Sequence, residues 1–136
     1  MKNTSITLID PQVGFCLAIG SVARKYGKSQ LIEIEKAVPK IDVALSECYR
    51  RHLVKSEYRP GQFTGGDLNQ ELSNLCVPFV NDDCQVLSNF NDIEFSSISV
   101  KNSQSALSSS VYCRALERDI AEGIKSFVVS GFLLNH

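Results

Sequence analysis

The stretch at residues 124–136, IKSFVVSGFLLNH, constrains the fold of this chain more than any other. It follows Gly123, a helix stop signal, runs apolar through Phe127, Val128 and Val129, and breaks at Ser130-Gly131. A short apolar run bounded by turn residues is the pattern of a strand buried on both faces of a parallel sheet. Residues 132–136 then fall at that strand's carboxyl end, where open α/β sheets place their ligands. An edge left with no following helix is the expectation for a domain whose C-terminal part is missing.

The rest of the chain supplies partners for such a strand. Residues 4–9 alternate through Ile6 and Leu8 before Asp10-Pro11, which predicts a strand with a carboxylate at its end. Residues 14–27, with Gly14, Gly20 and Gly27 and mixed polarity, read as a loop over the sheet edge. Leu31, Ile34, Val38, Ile41, Leu45 and Cys48 recur at helical spacing. Pro39 inside that pattern predicts a helix beginning there and running over 39–49. Residues 52–56 read as a second strand and 97–101 as a third. Between them, 57–85 is mostly loop, with one helical turn expected around 68–75. Serines from Ser103 to Ser110 predict a capped helix carrying Leu116 and Ile120 and closing at Gly123. Strands alternating with helices favour a three-layer α/β/α arrangement of Rossmann-like type, one domain over 1–136.

Composition removes several function classes. Net charge is −1 and no basic stripe runs along the chain, so no nucleic-acid partner is expected. No apolar run approaches the roughly 20 residues of a membrane span, so no membrane partner is expected. MKNTSITLID is too short and too alternating for a signal peptide, and the chain reads as soluble and cytoplasmic. Five widely spaced cysteines without a CxxC pair make neither a disulfide framework nor a zinc site.

Parallel strands would bring Asp10, Lys55 with Glu57, Lys101 and Asn135-His136 to one edge of the sheet. An acid and a lysine in a partly dry crevice shift each other's ionisation and can activate a third group. No GxSxG, GxGxxG, Walker or HExxH motif is present. Residues 65–67, Gly-Gly-Asp, read as a turn, and His52 is expected to close a helix or pack beside its strand.

Four pieces together resemble the isochorismatase-like cysteine hydrolase superfamily: LIDPQ with Phe15, KSEYRPG, KNSQSAL and VVSGFLLNH, in that order and spanning nearly the whole chain. The resemblance implies a six-stranded parallel sheet flanked by helices. It implies Asp10 and Lys101 as two members of an Asp–Lys–Cys triad. Asp10 would take the thiol proton, and the Lys101 charge would favour the thiolate. The cysteine is expected immediately after His136. The resemblance also implies a cis Phe132–Leu133 peptide and an oxyanion donor at the Leu133 main-chain N–H. Leu134 stands where the family commonly has threonine. Ser56-Glu57-Tyr58 replaces the metal ligands found in nicotinamidases, which implies no metal; no cofactor is expected.

The implied activity is hydrolysis of a C–N bond in a small amide or ureido substrate. Phe15, Tyr58, Phe132 and Leu133 are candidates for the pocket wall, core packing being the competing role. A non-catalytic relative that binds a small molecule or another protomer is the alternative. A vinyl-ether-cleaving isochorismatase without the cysteine is a third. Family members usually self-associate, so a homo-oligomer is expected.

Overall fold

Among the described residues, four short runs of β-forming residues pair in one sheet, all parallel. The computed structural model describes residues 2–132. Strands β1 (Thr4–Ile9), β2 (Arg50–Ser56), β3 (Ser97–Lys101) and β4 (Ser126–Gly131) lie in the order β3-β2-β1-β4. Helices α1 (Val13–Cys16), α2 (Ser21–Tyr26), α3 (Leu31–Glu47) and α4 (Ser110–Ala121) connect them.

Cross-strand register sorts the side chains into two unlike faces, since neighbours along a strand point opposite ways. Leu8 stands beside Leu53, and Ile6 beside Val128. Ile6, Leu8 and Leu53 form the apolar core with Ile41 and Leu45 of α3. Leu45 is 0% exposed, and burying such a side chain stabilises by about 1.5–3 kcal/mol. The other face carries Ser5, Thr7, His52 and Ser99, all buried. Helix α4 covers it with polar contacts. Tyr112 Oη meets Thr7 Oγ1 at 2.7 Å, and Asp119 Oδ2 meets His52 Nε2 at 2.5 Å. His52 Nδ1 lies 2.6 Å from Ser97 Oγ, so both ring nitrogens are satisfied. With α3 on the apolar face and α4 on the polar one, the three layers are helix, sheet, helix.

Several elements depart from the sequence expectation. Helix α3 is continuous from Leu31 to Glu47 with Pro39 inside it. Pro39 and Glu35 lie on the exposed side of the helix. The carbonyl that loses its donor can therefore be solvated, and the break is not forced. After α3 the chain leaves directly in extended conformation at Cys48 (φ −89°, ψ 143°), so the turn into β2 needs no glycine. Residues 14–27 hold α1 and α2 rather than a plain loop. Both are short helices held from outside by Asp83, whose carboxylate accepts from Ser21 Oγ (2.5 Å) and Ser21 N (3.3 Å). On α4 the buried residues are Tyr112, Ala115 and Asp119, while Ile120 faces outward.

The largest correction concerns β4. It pairs with β1 alone at the sheet edge, and Phe127, Val128 and Val129 are 43%, 43% and 64% exposed. The apolar run forms the expected strand, but no helix among the described residues covers either face of it. Ser109 caps α4 through Tyr112 N, and Gly123 adopts φ 95° just beyond the helix, as the serine and glycine signals predict.

Candidate active site

Three strand ends meet at the carboxyl edge. β1 ends in Ile9 and delivers Asp10, whose backbone continues the pairing once more by donating its N–H to Val54 O at 2.9 Å. Asp10 then turns out of the sheet at φ 57°, a left-handed conformation that a short Asp side chain tolerates better than most. Gln12, fully buried, locks this exit. Its amide nitrogen donates to Ser56 O and its amide oxygen accepts from Ser56 N, both at 2.8 Å. β2 therefore ends with Ser56 fixed beside Asp10, and β3 ends with Lys101.

The charged pair is buried. Lys101 Nζ lies 3.3 Å from Asp10 Oδ2, with the two side chains 1% and 8% exposed. The ammonium also donates to Ser103 O at 3.0 Å and to Tyr58 Oη at 3.2 Å. All three of its hydrogens are thus committed, which makes Lys101 a fixed cation rather than a nucleophile. Ser56 Oγ donates to Asp10 Oδ1 at 2.6 Å. Burial pushes the Asp10 carboxyl above its ordinary range, while the Ser56 hydrogen bond and the Lys101 charge pull it down.

The exit of β4 passes close to this pair. Gly131 stands opposite Ile9, and a Cβ there would come within 2.5 Å of Ile9 O. Glycine thus allows the last residue of β4 to lie tight against the end of β1, and Phe132 N donates to Ile9 O at 3.2 Å. The apolar candidates divide accordingly. Phe15, Tyr58 and Phe132 are all buried in the main core cluster beneath the edge. Tyr58 also turns its hydroxyl toward Lys101 and Ser56, and its ring meets Phe63 edge-on at 4.7 Å. Lys55 and Glu57 pair with each other at 3.8 Å, half in solvent, and not with Asp10. Leu133, Leu134, Asn135, His136 and the Phe132–Leu133 peptide lie outside the described residues.

The buried thiols of Cys16 and Cys76 are not activated. Burial pushes the Cys16 thiol up to about 12 and the Cys76 thiol still further. No group of three or more His, Cys, Asp or Glu that could hold a metal ion occurs among the described residues. No helix there is long and apolar enough to cross a membrane. Sequence reasoning missed Ser56 and Gln12 as site builders. Their signal is a polar residue at a strand end, which a solvent-exposed turn would also show.

Two solved structures share this architecture. One is a cysteine hydrolase from Pseudomonas syringae pv. phaseolicola 1448A, at TM-score 0.62 and 16% identity, over 96% of this chain and 60% of that one. The other is an Acinetobacter baumanii nicotinamidase pyrazinamidase, at TM-score 0.69 and 14% identity, over 96% of this chain and 71% of that one. The chain shares the parallel α/β/α fold of these two proteins. At these identities the likeness is one of fold, and the chain spans about 60% of the length of the first structure. No family model matches the sequence, and no curated protein does either.

Proposed function

We propose that this chain carries the acid–base half of an isochorismatase-like hydrolase acting on a C–N bond of a small amide or ureido compound. The observation that supports this reading is the buried Asp10–Lys101 pair at the carboxyl edge, 3.3 Å apart beside the exit of β4. A cysteine immediately after His136 is the nucleophile in this reading. Asp10 accepts the thiol proton as sulfur attacks the substrate carbon, and the Lys101 charge favours the thiolate. The acyl group passes to sulfur and the amine leaves with a proton from Asp10. Water then releases the acid and restores the thiol. Main-chain N–H groups at the turn after β4 serve the developing oxyanion.

The test is ammonia release from a panel of small primary amides and ureido compounds by the intact protein, with Asp10→Asn and Lys101→Met beside it. Release that both substitutions abolish supports the proposal. Absence of turnover across the panel, or undiminished turnover in either variant, overturns it. Saturable binding of an amide without turnover would favour a non-catalytic binding relative.

A further inference from the structure

Ser56 and Tyr58 join the two charged groups by a second route. Ser56 Oγ lies 2.6 Å from Asp10 Oδ1 and 2.9 Å from Tyr58 Oη, and Tyr58 Oη lies 3.2 Å from Lys101 Nζ. With the direct contact between Lys101 and Asp10, four side chains form a closed ring. Hydrogen counting sets its direction. An ammonium only donates and an ionised carboxylate only accepts. Ser56 owns one hydroxyl hydrogen, which the carboxylate takes. The phenol must then supply the hydrogen between Tyr58 and Ser56, while its oxygen accepts from Lys101. Both routes run from the ammonium to the carboxylate, one to each of its oxygens. Hydrogen bonds aligned head to tail polarise one another.

We propose that Ser56 and Tyr58 are positioning residues that relay the Lys101 charge to the second oxygen of Asp10 and oppose the protonation that burial favours there. The proposal deepens the hydrolase reading and rests on it only for what the ionised carboxylate then does. The groups facing Asp10 come from every element packed around it. Lys101 ends β3, Ser56 ends β2, and Tyr58 follows β2. Cys16 of α1 brings its thiol to 3.8 Å from Asp10 O, and Cys76 lies within electrostatic reach of both charges. Burial keeps both thiols neutral, so the opposing charge comes from Lys101.

The test is a carbon-13 NMR titration of the Asp10 carboxyl in the intact protein, in the wild type, Ser56→Ala, Tyr58→Phe and Tyr112→Phe. Tyr112 of α4 supplies a control, because its phenol is buried against Thr7 Oγ1 of β1 and stands outside the ring. The Asp10 midpoint should rise in Ser56→Ala, rise less in Tyr58→Phe, and stay put in Tyr112→Phe. An unmoved midpoint in both ring variants overturns the proposal, as does an equal rise in the control. If Ser56→Ala does not fold, Tyr58→Phe removes one oxygen only and decides the matter alone. Turnover plays no part in the readout, so loss of the hydrolase reading and loss of this one are separately visible.

Discussion

Lys101 reaches Asp10 across an intervening strand: β3 and β1 do not pair, yet the ammonium and carboxylate stand 3.3 Å apart. A lysine side chain is long enough to pass over the end of β2, where Ser56 and not a bulkier residue occupies the gap. The contact joins groups 91 positions apart and closes the carboxyl edge of the sheet.

Removing one partner leaves the other charge buried. Lys101→Met should cost about 3–5 kcal/mol of stability. Asp10→Asn should cost less, because its amide oxygen still accepts from Lys101 and Asn tolerates the positive φ at this position. The double variant should fall short of the sum of the two. Urea denaturation of the four proteins measures this, and simple additivity would mean the pair is not coupled.

The Asp10 carboxyl titrates above its ordinary value because it is buried. The folded state therefore holds that proton more tightly than the unfolded chain does. Its contribution to stability is full below the ordinary aspartate range and is lost as pH rises through the raised value. The stability difference between wild type and Asp10→Asn should accordingly shrink with rising pH across that window. A difference that grew with pH would reverse the sign of the burial argument.

Thiol labelling should follow exposure and ionisation. Cys16 and Cys76 are buried with their thiols pushed far up, and Cys48 is buried as well. Brief iodoacetamide treatment at neutral pH should mark Cys113 and Cys84 first, the two half-exposed cysteines. Mass spectrometry of peptides reads the order, and all five should label in denaturant. Early labelling of Cys76 would contradict the packing around it.

At the opposite end of the sheet, Asp119 ties α4 to β2. Its carboxylate meets His52 Nε2 at 2.5 Å and Arg50 Nε at 3.9 Å. Asp119→Ala should cost about 1–3 kcal/mol by leaving His52 Nε2 buried without a partner. Ile120→Ala, one residue on and exposed, should be close to neutral. Chemical denaturation of the two variants makes the comparison.

Gly20 precedes α2 where a Cβ would come within 2.1 Å of Val13 O and 2.8 Å of Gly14 O. Both neighbours are backbone, so neither can swing aside. Gly20→Ala should destabilise by about 1–3 kcal/mol or more, read as a lowered thermal midpoint. Gly27→Ala is a different case: nothing lies near its Cβ, and the cost comes from a φ of 92°.

The readable part of this fold was the part written in short-range pattern. Alternation marks β1 and β3, the serine cluster marks the cap of α4, and strand-end placement puts Asp10 and Lys101 among several polar residues at one edge, from which only the family resemblance selects them. What stayed hidden depends on contacts made at a distance. Helices α1 and α2 are too short to show a period and are held by Asp83, more than sixty residues away from Ser21. The role of Gln12 depends on meeting the backbone of Ser56. Pro39 could be tolerated only because its side of α3 faces water. The sequence of β4 specified a strand, but exposure depends on what lies beside a strand, which a local pattern does not contain.

Because Lys101 and Asp10 are sealed from solvent, dissolved ions have little access to the space between them. Exposed charges lose their mutual attraction as an electrolyte is added, over a distance of about 8–10 Å at moderate ionic strength. This couple keeps nearly all of its attraction in dilute buffer and brine alike. A group brought beside it within that buried space would feel the same electric field in either medium.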